Sequence, residues 1–278
     1  MAEELSREAL RKQRATKKAP APTSKRPRHI FGHLLAVVAA LLFLTTAWAQ
    51  QTVLNETAAK QVATNDTVVS AVKSELNGSL VKYGLENLVT TKATKSVLTQ
   101  LVGEVYENKS IQLDLSSITN RATSEATSTL ASYGVSVDSS LTSSASSTIQ
   151  SVVNSQLNTS GLQEVETNLA WIKTANLIAL VVSGVLVVLL AIRELVNRAL
   201  GRYLLVVGLF SGAAFLVLVW EVNSLVQGYS TSSTIESALV SAITSAVIPK
   251  GFLFGFGALA VAVVGLIGHL LGRRRANA

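Results

Sequence analysis

Three histidines, two Ser-x-x-Lys spacings and five Asn-x-Ser/Thr triplets are the places where this chain could carry chemistry. A histidine can serve as acid, base or metal ligand near neutral pH. His29, His33 and His269 all fall at the ends of apolar segments, however, and the long polar stretch 51–172 has neither His nor Cys. Nothing in that stretch can ligate a soft metal or activate a hydroxyl. Ser70-x-x-Lys73 and Ser79-x-x-Lys82 match the nucleophile spacing of serine acyl-enzymes, but the companion Ser-Asp-Asn and Lys-Thr-Gly elements are missing. In a Ser-rich helix that spacing describes a solvated face. No glycine-rich phosphate loop is present. The residues therefore predict a non-enzyme with no cofactor and no metal.

The triplets begin at Asn55, Asn65, Asn77, Asn108 and Asn158. They would be glycan acceptors in a eukaryotic secretory pathway. The chain has no cysteine at all, so it has no disulfides. An exported domain without them points to a bacterial cell, where the triplets reflect composition.

What must position these residues is mostly membrane. Of 278 residues, 49% are hydrophobic and only 15% charged, too apolar for an ordinary soluble domain. Four segments reach bilayer length, 30–49, 173–192, 203–220 and 251–271. The first reads as an uncleaved signal anchor, with Ala47-Trp48-Ala49 as the alternative, a signal-peptidase site. The others follow a polar domain at 50–172, a short turn at 193–202 and a second polar loop at 221–250, and the chain closes on a basic tail at 272–278.

Charge sets the orientation. Residues 1–33 hold nine Lys/Arg against three Glu within the formal net charge of +7. The turn carries Arg193, Arg198 and Arg202, and the C-terminus carries Arg273, Arg274 and Arg275. All three clusters fall on one side of a four-span protein, so both termini are expected in the cytoplasm of a multi-pass cell-membrane protein. Trp48, Trp171 and Trp220 fall at the opposite ends of their spans and are expected to anchor the outer interface. The tail 1–29, broken by Pro20, Pro22 and Pro27, reads as disordered. Its basic residues are expected to touch anionic lipid headgroups rather than nucleic acid, because they flank a span.

The outer domain carries an internal echo. Ser74-Glu75, Leu80 and Tyr83-Gly84-Leu85 recur fifty residues later as Ser124-Glu125, Leu130 and Tyr133-Gly134-Val135. Two repeats, 66–110 and 116–160, each of two helices, would give an all-α, up-down, tandem-repeat domain. Val68, Val72, Leu76 and Leu80 form the expected core stripe of the first helix. Gly84 and Gly134 would close helices. Ile111 to Leu115 alternates like a short strand and would link the copies. The last helix should run unbroken from about Gly161 through Trp171 into span two, since no Pro or Gly interrupts it. In the second loop, Ser233-Thr234-Ile235-Glu236 is a capping box, and the amphipathic helix it opens should end at Pro249. That helix could lie on the membrane or pack under the outer domain.

Span four carries small residues at three- and four-residue spacing: Gly251, Gly255, Ala258, Ala262, Gly265 and Gly272. Span three offers Gly208 and Gly212. Such stripes let helix backbones meet, either within one bundle or between copies in a homo-oligomer. No span core contains Asp, Glu, Lys or Arg, which argues against an ion-coupled carrier. The leading expectation is a scaffold- or sensor-like membrane protein whose outer helical domain binds an envelope or membrane-protein partner. The alternative is a channel or transporter subunit formed by oligomerisation.

Overall fold

The computed structural model describes residues 28–81, 89–107, 113–132, 143–144, 147, 151, 160–197, 199–229 and 233–276. Contacts divide the chain into two units, Met1–Leu35 and Ala36–Ala278. The first contributes the opening turns of helix α1, and the helix bundle belongs to the second. The described residues form eight main helices in order: α1 (Arg28–Gln51), α2 (Glu56–Ala63), α3 (Asp66–Val81), α4 (Thr91–Glu107), α5 (Ser116–Ser132), α6 (Ser160–Val196), α7 (Leu200–Gly228) and α8 (Thr234–Ala276). No strand occurs among the described residues. Of the segment expected to alternate as a strand, Ile111 and Gln112 lie outside the described residues, and Leu113 to Leu115 follows an irregular path with Leu115 buried and Asp114 exposed. With no second strand among the described residues to satisfy its backbone, the alternation at 113–115 sorts side chains without making a sheet.

Four helices are long and apolar enough to cross a membrane, within α1, α6, α7 and α8. Leu177, Ile178, Val181, Val185 and Leu189 on α6 lie exposed. Water would oppose so continuous an apolar surface, whereas lipid accepts it. These are the dimensions and surface of a multi-pass membrane protein.

The polar helices build a separate core. Val68, Val72, Leu76 and Leu80 recur at four-residue intervals on α3 and are all buried. They meet Ala93, Val97 and Leu98 of α4, and Leu115 and Ile118 from the start of α5. The short helix α2 is set by Asn55, whose side chain accepts from the Ala58 N–H at 3.0 Å. Ala238 and Ala242 of α8 complete this core, with Ile235 and Leu239 packed against it. Of the two places open to that amphipathic segment, the structure has it inside the polar domain.

Pro249 does not end the helix. α8 is continuous from Thr234 to Ala276 with Pro249 inside it. Proline removes one N–H and crowds the carbonyl four residues back, here that of Ser245. Ser245 is exposed, so its carbonyl is open to other donors, and neighbouring helices hold the two flanking segments in line. The start of α8 is looser than a full capping box, since the Glu236 N–H reaches Ser233 Oγ at 3.5 Å. α6 is likewise unbroken, from Ser160 through Trp171 to Val196. Tyr83, Gly84, Tyr133 and Gly134, on which the repeat chiefly rests, lie outside the described residues.

Candidate functional site: the seam and the junction above it

α7 and α8 run antiparallel along a line of missing side chains. A Cβ on Gly208 would stand 2.8 Å from the Ala258 carbonyl oxygen and 2.9 Å from the Ala262 nitrogen. One on Gly265 would stand 2.5 Å from the Leu205 nitrogen and 2.8 Å from the Gly201 oxygen. Backbone therefore meets backbone, and only glycine fits at these points. Gly212 faces Ala258 and Leu259, Gly251 faces Val219 and Trp48, and Gly255 faces Leu216 and Phe215. Of the small residues expected to pack, all but Gly272 thus meet across one intramolecular interface; Gly272 lies in the last turns of α8, its side-chain surroundings outside the described residues.

Two residues of the seam were not anticipated. Gly201 closes its far end, where a Cβ would lie 2.7 Å from the His269 nitrogen. Hydropathy starts the span at Tyr203 and leaves Gly201 in a turn, although its spacing of seven from Gly208 was there to be read. Leu259 fills the Gly212 notch, its Cδ2 at 3.1 Å from the position of a Cβ there.

The tryptophans separate into two kinds. Trp171 and Trp220 are 74% and 58% exposed. Trp48 is only 7% exposed and cannot present its ring to lipid headgroups. Its indole N–H donates to the Val247 carbonyl at 3.0 Å, and its ring meets Phe215 edge-on at 5.7 Å. Trp48 is thus a packing and bridging residue rather than a belt residue. An indole N–H is a donor only, and a buried one needs an acceptor. The Arg cluster at the turn is partly in view: Arg193 and Arg202 are exposed. Arg198 lies outside the described residues, and Arg273, Arg274 and Arg275 sit in the last turn of α8.

Above the seam, polar side chains tie the span ends to the polar helices. Tyr106, at the end of α4, donates its hydroxyl to the Val53 carbonyl just after α1. Lys173 of α6 donates to the Tyr106 carbonyl at 2.9 Å and stands 4.1 Å over the same ring, a cation–π contact. Glu56 pairs with Lys60 at 2.6 Å. Lys60 lies where a side chain on residue 103 would be, its Nζ 3.4 Å from the Cβ that Gly103 lacks. Burial pushes the Tyr106 phenol above its ordinary pKa, and the negative charge of Glu56 adds to the shift. The phenol stays a protonated donor. Asn176 of α6 donates to the Thr46 carbonyl at 3.1 Å and to Gln50 Oε1 at 3.2 Å on α1. The Lys173 and Asn176 bonds join different helices and the Tyr106 bond ties α4 to the residues just after α1, while the Glu56–Lys60 pair lies within α2.

The Asn triplets are structural where they can be seen. Asn55 caps α2, and Asn65 Oδ1 accepts from the Thr67 N–H at 3.0 Å. Asn77 accepts from the Val89 N–H at 3.0 Å and donates to the Val89 carbonyl at 3.1 Å, imitating a strand pairing across residues 82–88. Asn108 and Asn158 lie outside the described residues. Elsewhere, Lys95 pairs with Asp66 at 2.8 Å and holds that carboxyl below its ordinary range through the hydrogen bond and then through charge. Asp114 is lowered by hydrogen bonds from the Ser116 hydroxyl and backbone. No group of three His, Cys, Asp or Glu side chains placed to hold a metal occurs among the described residues. The chain matches no protein-family model, no curated protein and no solved structure.

Proposed function

We propose that this chain is a non-enzymatic cell-membrane protein, with cytoplasmic termini and an extracytoplasmic helical domain that binds another envelope or membrane protein. One observation carries the reading: Ala238 and Ala242 of α8 belong to the core of the polar domain, while the same helix continues as a membrane span. A load on the domain would reach the bilayer through that continuous helix. The Tyr106–Val53 and Lys173–Tyr106 contacts brace the same boundary. The basic clusters give the orientation, and the lack of Asp, Glu, Lys and Arg in the four span cores speaks for binding over ion-coupled transport.

The test is photo-crosslinking in native membranes from exposed positions such as Gln61, Ser74 and Asn120, with lipid-facing Val263 as control. Discrete adducts from the polar domain, absent from position 263, are expected. Purified protein in lipid vesicles should show no solute-selective flux. Selective flux with no adduct would replace this reading by the channel or transporter one.

A further inference from the structure

α8 is a single helix in two environments. Its opening turns bury Ala238 and Ala242 in the polar core, and from Val247 onward it packs on α7, first against Phe215 and Val219. Pro249 stands at the change. Without its N–H the helix loses the bond to the Ser245 carbonyl, and such a site is where a helix bends most readily. A second, independent feature sits beside it. Trp48 crosses from α1 to donate to the Val247 carbonyl, two residues before the proline, in a bond that is buried. The ring is fixed by Phe215 and by Gly251, where a Cβ would come 3.1 Å from the ring. A carbonyl has two lone pairs, so Val247 can keep its helical bond while accepting from Trp48. The indole can therefore leave without unravelling α8.

We propose that Trp48 is a releasable clasp on a hinge at Pro249, which sets the angle between the polar domain's part of α8 and span four. With the indole on Val247 the two halves are held together. With the indole away, the first half pivots with the polar core while the second stays locked on α7 by the backbone contacts at Gly208 and Gly265. Clasp, hinge and seam use three different helices, α1, α8 and α7. Motion of the polar domain would thus reach the membrane as a tilt about one point. The proposal stands whichever partner the polar domain serves.

The chain has no cysteine, so spin labels can be placed by Ser241→Cys and Leu270→Cys, both exposed positions on either side of Pro249. The full chain in lipid nanodiscs should give a narrow distance distribution between them. Trp48→Phe keeps an aromatic ring and loses the donor, and it should broaden that distribution. Adding Pro249→Ala, which restores the missing N–H, should narrow it again. A Trp48→Phe distribution as narrow as the parent's would overturn the proposal, as would one equally broad with Pro249→Ala. If Trp48→Phe does not fold by itself, recovery of folding in the Pro249→Ala background supports the clasp, and failure in both backgrounds refutes it.

Discussion

At the scale of single residues, Gly265 and Gly257 differ in what one added methyl group would meet. At Gly257 nothing lies within 4 Å, whereas at Gly265 two backbone atoms stand at 2.5 and 2.8 Å. Gly265→Ala should therefore force the helices apart and cost about 1–3 kcal/mol. Gly257→Ala should change stability by no more than about 0.5 kcal/mol. Thermal unfolding of the two variants in detergent measures the difference, with mass unchanged in both because the seam closes within one chain; equal losses would contradict the geometry. Tyr106 gives a prediction in pH. Its folded pKa is raised, so the stability it contributes is fully present below the ordinary phenol value of about 10 and is lost as pH rises through the folded value. Tyr106→Phe should cost about 0.5–1.5 kcal/mol at neutral pH, and the gap to the parent should close in strongly alkaline solution. Much at this scale was legible in sequence, because small residues at helical spacing have few uses. Leu259 was not, since a side chain's reach depends on the partner helix, and Gly201, readable by its spacing of seven from Gly208, was hidden by a hydropathy edge that starts the span at Tyr203.

At the scale of elements, α3 and α4 are joined by Asn77 as much as by their core. Asn77→Ala removes both bonds to Val89 and leaves that backbone pair unmet, a loss of about 1–3 kcal/mol. Leu80→Ala, at a fully buried position, should cost about 2–5 kcal/mol. Chemical denaturation followed by circular dichroism would rank the two. The α3 stripe could be read because one face of one helix suffices to define it. The junction could not. Tyr106, Lys173 and Asn176 carry no signal in their own segments, Trp48 reads there as an interface anchor, and each finds its partner only after the helices assemble. Pro249 misled for a physical reason: its local rule ends helices, and packing on both sides of it prevails over the rule. Asn77 was hidden because a cap or brace and a glycan acceptor share the same triplet.

At the scale of the whole molecule, one continuous helix, α8, joins an apolar four-helix membrane part to a polar helical domain. The central claim is that the polar domain, with the first half of α8, lies outside the cell while both basic termini lie inside. Hydropathy made the four spans readable, since it rests on composition, and the orientation that the charge clusters propose is what the labelling below tests. The role of α8 rests on tertiary packing and was open between two placements. The most direct measurement is impermeant thiol labelling in intact cells of single variants Lys12→Cys, Asn120→Cys, Ser241→Cys and Ala276→Cys, in a chain with no native cysteine. The account predicts labelling at 120 and 241, and at 12 and 276 only after the membrane is permeabilised. Labelling of 12 or 276 in intact cells without labelling at 120, or protection of 241 where 120 reacts, would contradict it.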